Sequence, residues 1–395
     1  MQTFLVLLFA YTLSQFYRAF LAVIAPELSA ELSFGAADLG AMSAVWFWVF
    51  AASQFVVGWA LDRFGPRRTM ALLMLAAVAG ATLLAQANDR SDCLVGMGLI
   101  GLGCSPIYMG SLYLFGRTFP SDRFAFLSSI LLGLGSAGNL LGATPLAWAA
   151  GAIGWRATFL LIAGLTAISA CLVYVVLRDP PQAPSGKQAT FLAGLREIAA
   201  IRALWPLVPI TLTSYAVILA ERGLWVGPYL ADVHGLEPVM RGNVVLLMAA
   251  AMSAGALAFG PLDRMLSSRK WIVGITTGLT AVGFAGLAQV PAGAIAWSAL
   301  LLAAIGGIGM SYAVLMAHAR AFFPDHVLGR GITTMNFVFF AGAGVLQAAS
   351  GVWLANLQAA GIASTAIYGQ LHLSFALLLV VSLVIYVFST EMPRR

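Results

Sequence analysis

Charge is what this chain has least of. Among 395 residues, 21 Lys+Arg and 15 Asp+Glu make up only 9%, against roughly 25% in soluble domains. With 61% of the residues from the AVILMFWYC set and a mean hydropathy of +0.92, a water-soluble fold is excluded. Cysteine is scarce as well. Cys93, Cys104 and Cys171 form no CxxC pair and no disulfide framework, so they read as small buried hydrophobes. The four histidines, His234, His318, His326 and His372, are dispersed, and no HExxH, Walker A or GxSxG pattern occurs. An enzyme is therefore not expected, and neither a cofactor nor a metal ligand set is assigned. The first 25 residues lack a basic leader, and their apolar run ends at Pro26-Glu27 without a small-residue cleavage site. They are expected to form a first span, not a removed signal.

Apolar runs are what the chain has in abundance. A helix needs about 20 residues to cross the ~30 Å hydrocarbon core. Runs read against breakers predict twelve spans near 4–27, 39–61, 69–87, 92–116, 125–148, 156–177, 203–231, 242–262, 271–290, 295–319, 331–355 and 368–389. The one long polar interruption, 178–202, is rich in proline, glycine and charge. The expected organisation is a six-helix bundle over 1–178, a cytoplasmic linker over 179–202 and a second six-helix bundle over 203–395.

Placement explains the formal charge of +6. Of the 21 cations, sixteen fall in the even-numbered connections and at the C-terminus, among them Arg63, Arg67, Arg68, Arg264, Arg269 and Lys270. Only Arg90, Arg156 and Arg241 fall in the odd-numbered connections. Cations stay on the cytoplasmic side, so a multi-pass protein of the cytoplasmic (inner) membrane with both termini cytoplasmic is expected. The basic pI then reports topology and contact with anionic lipid, not nucleic acid.

The two halves repeat each other. After Pro26 the chain reads PELSAELSFGAADLG and then GWALDRFGPRR; after Pro228 it reads PYLADVHGLEPVMRG and then GPLDRMLSSRK. The loop residues Gly58, Ala60, Leu61, Asp62, Arg63, Gly65, Arg67 and Arg68 resemble the signature between the second and third helices of the major facilitator superfamily. A degenerate copy stands at Gly260 to Lys270, and Gly154-Trp155-Arg156-Ala157-Thr158-Phe159 resembles the family's Gly-Trp-Arg-x-x-Phe stretch before the sixth helix. The resemblance covers essentially the whole chain. It implies an all-α polytopic membrane protein of 12 transmembrane helices in two pseudo-symmetric six-helix bundles that rock about a central site. It also implies a conformational latch at Gly58, Asp62, Arg63, Gly65, Arg67, Arg68, Asp263 and Arg264, with the start of the eleventh span after Gly329-Arg330-Gly331 as a partner for Asp62. Met97 stands where drug/proton antiporters of the family carry an arginine, and their fifth-helix Gly-Pro motif is degraded to Gly142-Ala143-Thr144-Pro145, which weakens multidrug antiport.

Ionisable groups at membrane depth are costly unless they face a partner or a wet cavity. Arg18 in the first span and Glu221-Arg222 in the seventh qualify. On helical spacing Tyr11, Gln15 and Arg18 share a stripe, as do Thr211, Tyr215, Arg222 and Trp225. Tyr-x6-Arg recurs at an offset of 204, and the same offset relates Tyr108 to Tyr312 and Gly103 to Gly307; the prolines Pro26 and Pro228 instead imply 202. Repeat-built carriers hold substrate near the midplane, and two planar, always-charged guanidinium groups suit a carboxylate or phosphate. The expected substrate-binding residues are Arg18, Arg222, Tyr11, Gln15, Tyr215, Tyr108, Tyr312, Trp225, Asn139 and Asn336. For Trp225, packing stands beside ligand stacking, and for the two asparagines a helix-to-helix hydrogen bond stands beside substrate contact. Glu221 is the coupling candidate if a proton is used, with a structural pair to an arginine as the plainer reading. The glycines of the fourth and tenth spans permit close packing and bending.

The leading function is a secondary active transporter that moves a small organic anion by alternating access, with H+ or a counter-anion, as a monomer among membrane lipids. Two other carrier readings stand beside it: a soft-metal (copper) importer, from Met248, Met252 and Met316 near His318, and proton-coupled efflux of an amphipathic compound. A non-transporting sensor is a third class.

Overall fold

The computed structural model describes residues 2–179, 191–266, 268–324 and 328–391. Every described element is helical. The first span is broken: α1 (Gln2–Phe16) and α2 (Leu21–Leu32) meet at 49°. At the break, the amides of Arg18 and Ala19 bond three residues back, to Gln15 and Phe16, a tighter winding than the α-helix. α3 (Ala36–Gln86) runs for 51 residues, ~77 Å at 1.5 Å per residue, more than twice the bilayer core. It is two spans interrupted at Gly65, where φ is +81°, a conformation open to glycine, with Pro66 starting the next helix. α4 (Arg90–Thr118) follows, its start capped by the Asp89 carboxylate accepting from the Asp92 amide at 2.9 Å. α5 (Ser121–Gly135), α6 (Ala137–Leu141) and α7 (Thr144–Ile153) form one interrupted span, and α8 (Trp155–Val176) the next.

After α9 (Phe191–Ala200), the span Leu207–Asp232 is again segmented: α10 (Leu207–Thr213), α11 (Ala216–Ala220), a π-helical turn at Glu221–Trp225 and α12 (Val226–Asp232). α13 (Pro238–Met265) and α14 (Arg269–Leu287) come next. α15 (Ile295–Ile308) and α16 (Tyr312–Arg320) share one span, and α17 (Leu328–Ala359) and α18 (Ser364–Val387) complete the chain. Among the described residues, ten helical stretches are long and apolar enough to cross a membrane, and the bent α1–α2 pair makes eleven. Since α3 holds two spans, the expected twelve are all present. The edges differ from the predicted ones by a few residues; the twelfth starts at Ser364, not 368, because Ala363 in extended conformation sets its start.

Two compact units emerge. The first comprises Met1–Pro184 with Val226–Pro228 and Leu236–Leu246, the second Ser185–Trp225, Tyr229–Gly235 and Leu247–Arg395. In the first, α3 packs along α4 and α8, and α1 against α5, α6 and α8. Glycine makes the α3–α4 seam possible: a Cβ on Gly80 would lie 2.5 Å from the Gly96 carbonyl oxygen, and one on Gly103 2.5 Å from the Ala77 amide nitrogen. Also within this unit, Arg241 pairs with Glu27, and the Thr144 hydroxyl donates to the Asn243 side chain at 2.8 Å. In the second, α14 packs on α18, and α10 on α17 and α18.

Candidate functional site

In the first unit the break after α1 presents Arg18, half-buried, with its guanidinium carbon 4.8 Å from the Phe50 ring centre and 5.7 Å from that of Trp46. Aromatic faces hold a cation without neutralising it. Tyr11 and Tyr108 stack at 5.2 Å, and Arg18 lies within electrostatic reach of the Tyr108 hydroxyl. Gln15 is buried with its side-chain oxygen unbonded. Asn139 is half-buried on α6, beside Gly138, where a Cβ would collide with the Thr12 carbonyl oxygen.

The second unit repeats the tyrosine pair. Tyr215 and Tyr312 stack at 5.8 Å, Phe339 packs on both at 5.2 and 4.4 Å, and the Tyr312 hydroxyl donates to Asn336 Oδ1 at 2.9 Å. Arg222, 2% exposed, lies within electrostatic reach of Tyr215. The change of offset from 204 to 202 falls between Arg18 and Pro26, just past the α1–α2 break. The matching stretch from Arg222 to Pro228 is two residues shorter and carries the π turn. Trp225 is buried with its indole N–H donated to Ser350 Oγ at 2.9 Å, a packing contact. Glu221 meets α18 instead. Its carboxylate lies 3.3 Å from His372 Nε2, and both side chains are 0% exposed.

The loop inside α3 is clasped by an acid that sequence reasoning had left in the linker. Asp179 accepts from the Arg67 amide at 2.8 Å, and Arg67 donates from Nε to the Tyr174 carbonyl at 2.5 Å with its guanidinium over the Tyr174 ring. A Cβ on Gly65 would collide with Asp179 Oδ1. Gly58, Asp62, Arg63 and Arg68 are exposed, Arg63 against the Trp59 and Phe64 rings. In the second unit Arg269 grips Asp263 with two bonds, at 3.1 and 3.3 Å, and donates to the Ala317 carbonyl. The side chains of Arg264 and of Leu328–Arg330, including the partner proposed for Asp62, lie outside the described residues. Glu391 here matches Asp179, accepting from the Arg269 amide at 2.6 Å and from the Ser268 hydroxyl. The Gly-Trp-Arg stretch works as a brace: Trp155 and Arg156 both donate to Glu31, and Arg156 also reaches the Ala85 and Ala87 carbonyls that end α3.

Sequence reasoning missed His372, although a histidine inside an apolar span is a functional candidate on the same cost argument that singled out Glu221. The soft-metal reading loses its histidine: His318 is committed at both ring nitrogens, to the Tyr386 hydroxyl at 2.7 Å and the Thr390 carbonyl at 3.0 Å. A cavity of about 520 Å³ lies at the far end of α1 from Arg18, lined mostly by apolar side chains such as Phe4, Phe115, Phe119 and Phe126 but also by Thr3 and Arg123.

Two helical units, each with a broken span that carries an arginine beside a tyrosine pair, describe a multi-pass membrane protein of repeat-built carrier architecture. The profile of the Major Facilitator Superfamily matches residues 7–347, and the chain belongs to that family. Its fold is like that of the nucleoside transporter NupG, solved as a point mutant, with a TM-score of 0.80 at 13% identity over 99% of this chain and 100% of the other. It is equally like a bacterial homologue of the human lysosomal transporter Spinster, with 0.79 at 15% over 98% and 96%. Among curated relatives, the nitrate/nitrite transporter NrtP of Nostoc punctiforme is 24% identical over 42% of this chain and 34% of its own length. The hexuronate transporter of Bacillus subtilis is 23% identical over 72% of each. The probable galactarate/D-glucarate transporter GudP of Escherichia coli is 23% identical over 42% of this chain and 38% of its own length. The chain spans only 34–40% of the length of the first three curated relatives it matches.

Proposed function

We propose that this protein is a secondary active transporter that carries a small organic anion, bearing a carboxylate or phosphate, across the cytoplasmic membrane by alternating access. The observation that carries this reading is the recurrence, once in each unit, of an arginine at a helix break within electrostatic reach of a stacked tyrosine pair. Arg18 over the Phe50 and Trp46 rings and the buried Arg222 can each offer an incoming anion the paired donors of a guanidinium. The relatives named for nitrate, glucarate, hexuronate and sulfoacetate support an anionic cargo. No comparable support attaches to a metal ion or an amphipathic drug. Arg18, Arg222, Tyr11, Tyr108, Tyr215 and Tyr312 are the residues assigned to the anion, with Gln15, Asn139 and Asn336 as hydrogen-bonding neighbours. In this reading the Gly58–Arg68 loop and its copy at Asp263-Arg264 weigh one transport state against the other, and the cation pattern supports cytoplasmic termini.

The test is uptake into proteoliposomes of nitrate, D-glucarate, D-galacturonate and sulfoacetate, with a neutral sugar and Cu(I) as controls. Saturable uptake of at least one of the three organic acids and neither control is expected. Uptake of nitrate, the sugar or the metal alone overturns the assignment.

A further inference from the structure

Glu221 and His372 are fully buried titratable side chains that the anion reading leaves without a task. Each is 0% exposed, and their nearest polar atoms, Oε2 and Nε2, stand 3.3 Å apart, within ion-pair reach but off the line of a hydrogen bond. Neither carboxylate oxygen and neither ring nitrogen has a hydrogen-bond partner. A buried pair kept for structure recovers its desolvation cost through good geometry and further hydrogen bonds to the remaining lone pairs. This pair has neither, so its polar atoms are arranged for something that comes and goes.

The surroundings restrict what that is. Tyr229 packs its edge on the His372 ring at 5.0 Å, Phe284 closes another side at 6.3 Å, and Tyr368 packs on Tyr229 at 5.6 Å. Among the described residues no three His, Cys, Asp or Glu side chains come together here as a ligand set for a metal cation. The groups that face Glu221 are His372, Tyr229 and Tyr368, with Asp232 accepting from the Tyr368 hydroxyl at 2.8 Å and Arg222 on the adjoining residue of the same turn. On one side the wall continues as a polar chain. The Tyr229 hydroxyl, Ser298 Oγ and His234 Nε2 lie mutually within 2.8, 3.0 and 3.1 Å. The Gly293 amide donates to His234 Nδ1 at 3.1 Å, so the neutral ring carries its proton on Nε2, toward the two hydroxyls. Burial lowers the His234 imidazole from its ordinary value, which favours that neutral form. The chain ends in the connection between α12 and α13, where His234 itself is half-buried.

We propose that the Glu221–His372 pair binds one proton per transport cycle, reached through Tyr229, Ser298 and His234, so that the carrier is driven by a proton gradient. This rests on the transporter reading and names its coupling ion. The step moves only a proton: water gives H+ to the site shared by Oε2 and Nε2, and water takes it back when the site opens again. With the proton the pair is a buried imidazolium–carboxylate or a neutral acid beside a neutral ring. Without it the carboxylate meets a neutral ring across the contact, with no hydrogen bond to either oxygen, and favours a state that admits water. The π turn at Glu221–Trp225, a winding found at functional sites, gives the segment a local distortion to relax.

Two measurements test this. In the first, the reconstituted full chain is titrated with a pH dye between about pH 5 and 8, the range over which histidine-containing switches are read. Wild type is expected to take up about one proton more than Glu221→Gln; equal uptake overturns the proposal. Should Glu221→Gln fail to fold, His372→Gln removes the same proton from the other side of the contact. In the second, an inward gradient of one pH unit is imposed on proteoliposomes taking up D-glucarate. One coupled proton is worth about tenfold in accumulation, and that ratio is expected to fall to about one in either variant. If the ratio persists in both, the proposal fails although the carrier stands. If wild type takes up none of the three organic acids, the anion reading fails, and the dye titration still decides the proton site.

Discussion

In the first unit an arginine at a helix break is lined by ring faces; in the second an arginine at a helix break follows a carboxylate that touches a histidine. The repeated part is the tyrosine pair, stacked at 5.2 Å in one unit and 5.8 Å in the other. The unrepeated part is the electrostatics around the arginine. Arg18 is half-buried over Trp46 and Phe50, whereas Arg222 is 2% exposed beside the Glu221–His372 pair. Even the windings diverge: the first break is tightened by bonds three residues back, and the second opens into a π turn. Among the described residues the stacked tyrosine pair is thus what both units keep, while the buried carboxylate–histidine contact stands in the second.

The sharpest way to break this comparison is to remove each arginine in turn. Arg18→Ala is expected to lower D-glucarate uptake about 100-fold, the loss of one or two charge-assisted hydrogen bonds, with little loss of stability. Arg222→Ala is expected to lower uptake similarly and also to cost about 2–3 kcal/mol of folding free energy, because its stem is fully packed. Uptake together with thermal or denaturant unfolding separates the two. Equal destabilisation by both, with uptake retained in either, removes the distinction between a ligand-facing and a structurally embedded arginine.

How much of this was legible in the sequence follows from range. The spans, the Gly65 interruption and the Tyr-x6-Arg stripes are local or periodic, and glycine, proline and a spacing of seven residues announce them. The tyrosine pairs were legible for a different reason: two copies at one offset carry their own evidence. The partners of the charged groups were not legible. Glu221 meets His372 across 151 positions, Arg67 meets Asp179 across 112, and Arg269 meets Glu391 across 122. Nothing in a single sequence states which helix faces which. Asp179 and Glu391 also stand just past the sixth and twelfth spans, in polar ends that read as solvated tails.

Those two acids give the second comparison. Glu391 is exposed; what desolvation it has raises its carboxyl, but bonds from the Ser268 hydroxyl and the Arg269 and Lys270 amides outweigh that and hold it below its ordinary value of 4.5. The ionised form is the one the fold binds, so its contribution is complete above the ordinary value and fades as pH falls through the lowered one. Glu391→Gln is expected to cost about 0.5–1 kcal/mol near neutral pH, reduced by solvent exposure. Wild type and variant should converge in acid. Asp179→Asn, with one amide bond to replace, is expected to cost less than Glu391→Gln. A reversed order, or a difference that grows in acid, contradicts the assignment of both carboxylates as helix-start clasps.

Asp62 carries the smallest expected effect and the finest distinction. It is exposed, and its neighbour Arg63 leans on Trp59 and Phe64, so Asp62→Asn removes no buried contact and is expected to change stability by less than about 0.5 kcal/mol. Affinity for D-glucarate should move less than about twofold, since the residue lies in a loop distant in sequence from Arg18. A latch acts on the balance of states, and a small free-energy change near balance redistributes populations visibly. Reporter cysteines in the 87–89 and 118–120 connections, in a chain whose three native cysteines are serine, should therefore change reactivity in opposite directions in the Asn variant. If both stay unchanged, the loop's working acid is Asp179, whose carboxylate already holds the Arg67 amide, and the asymmetry between the two units extends from the arginines to the loops.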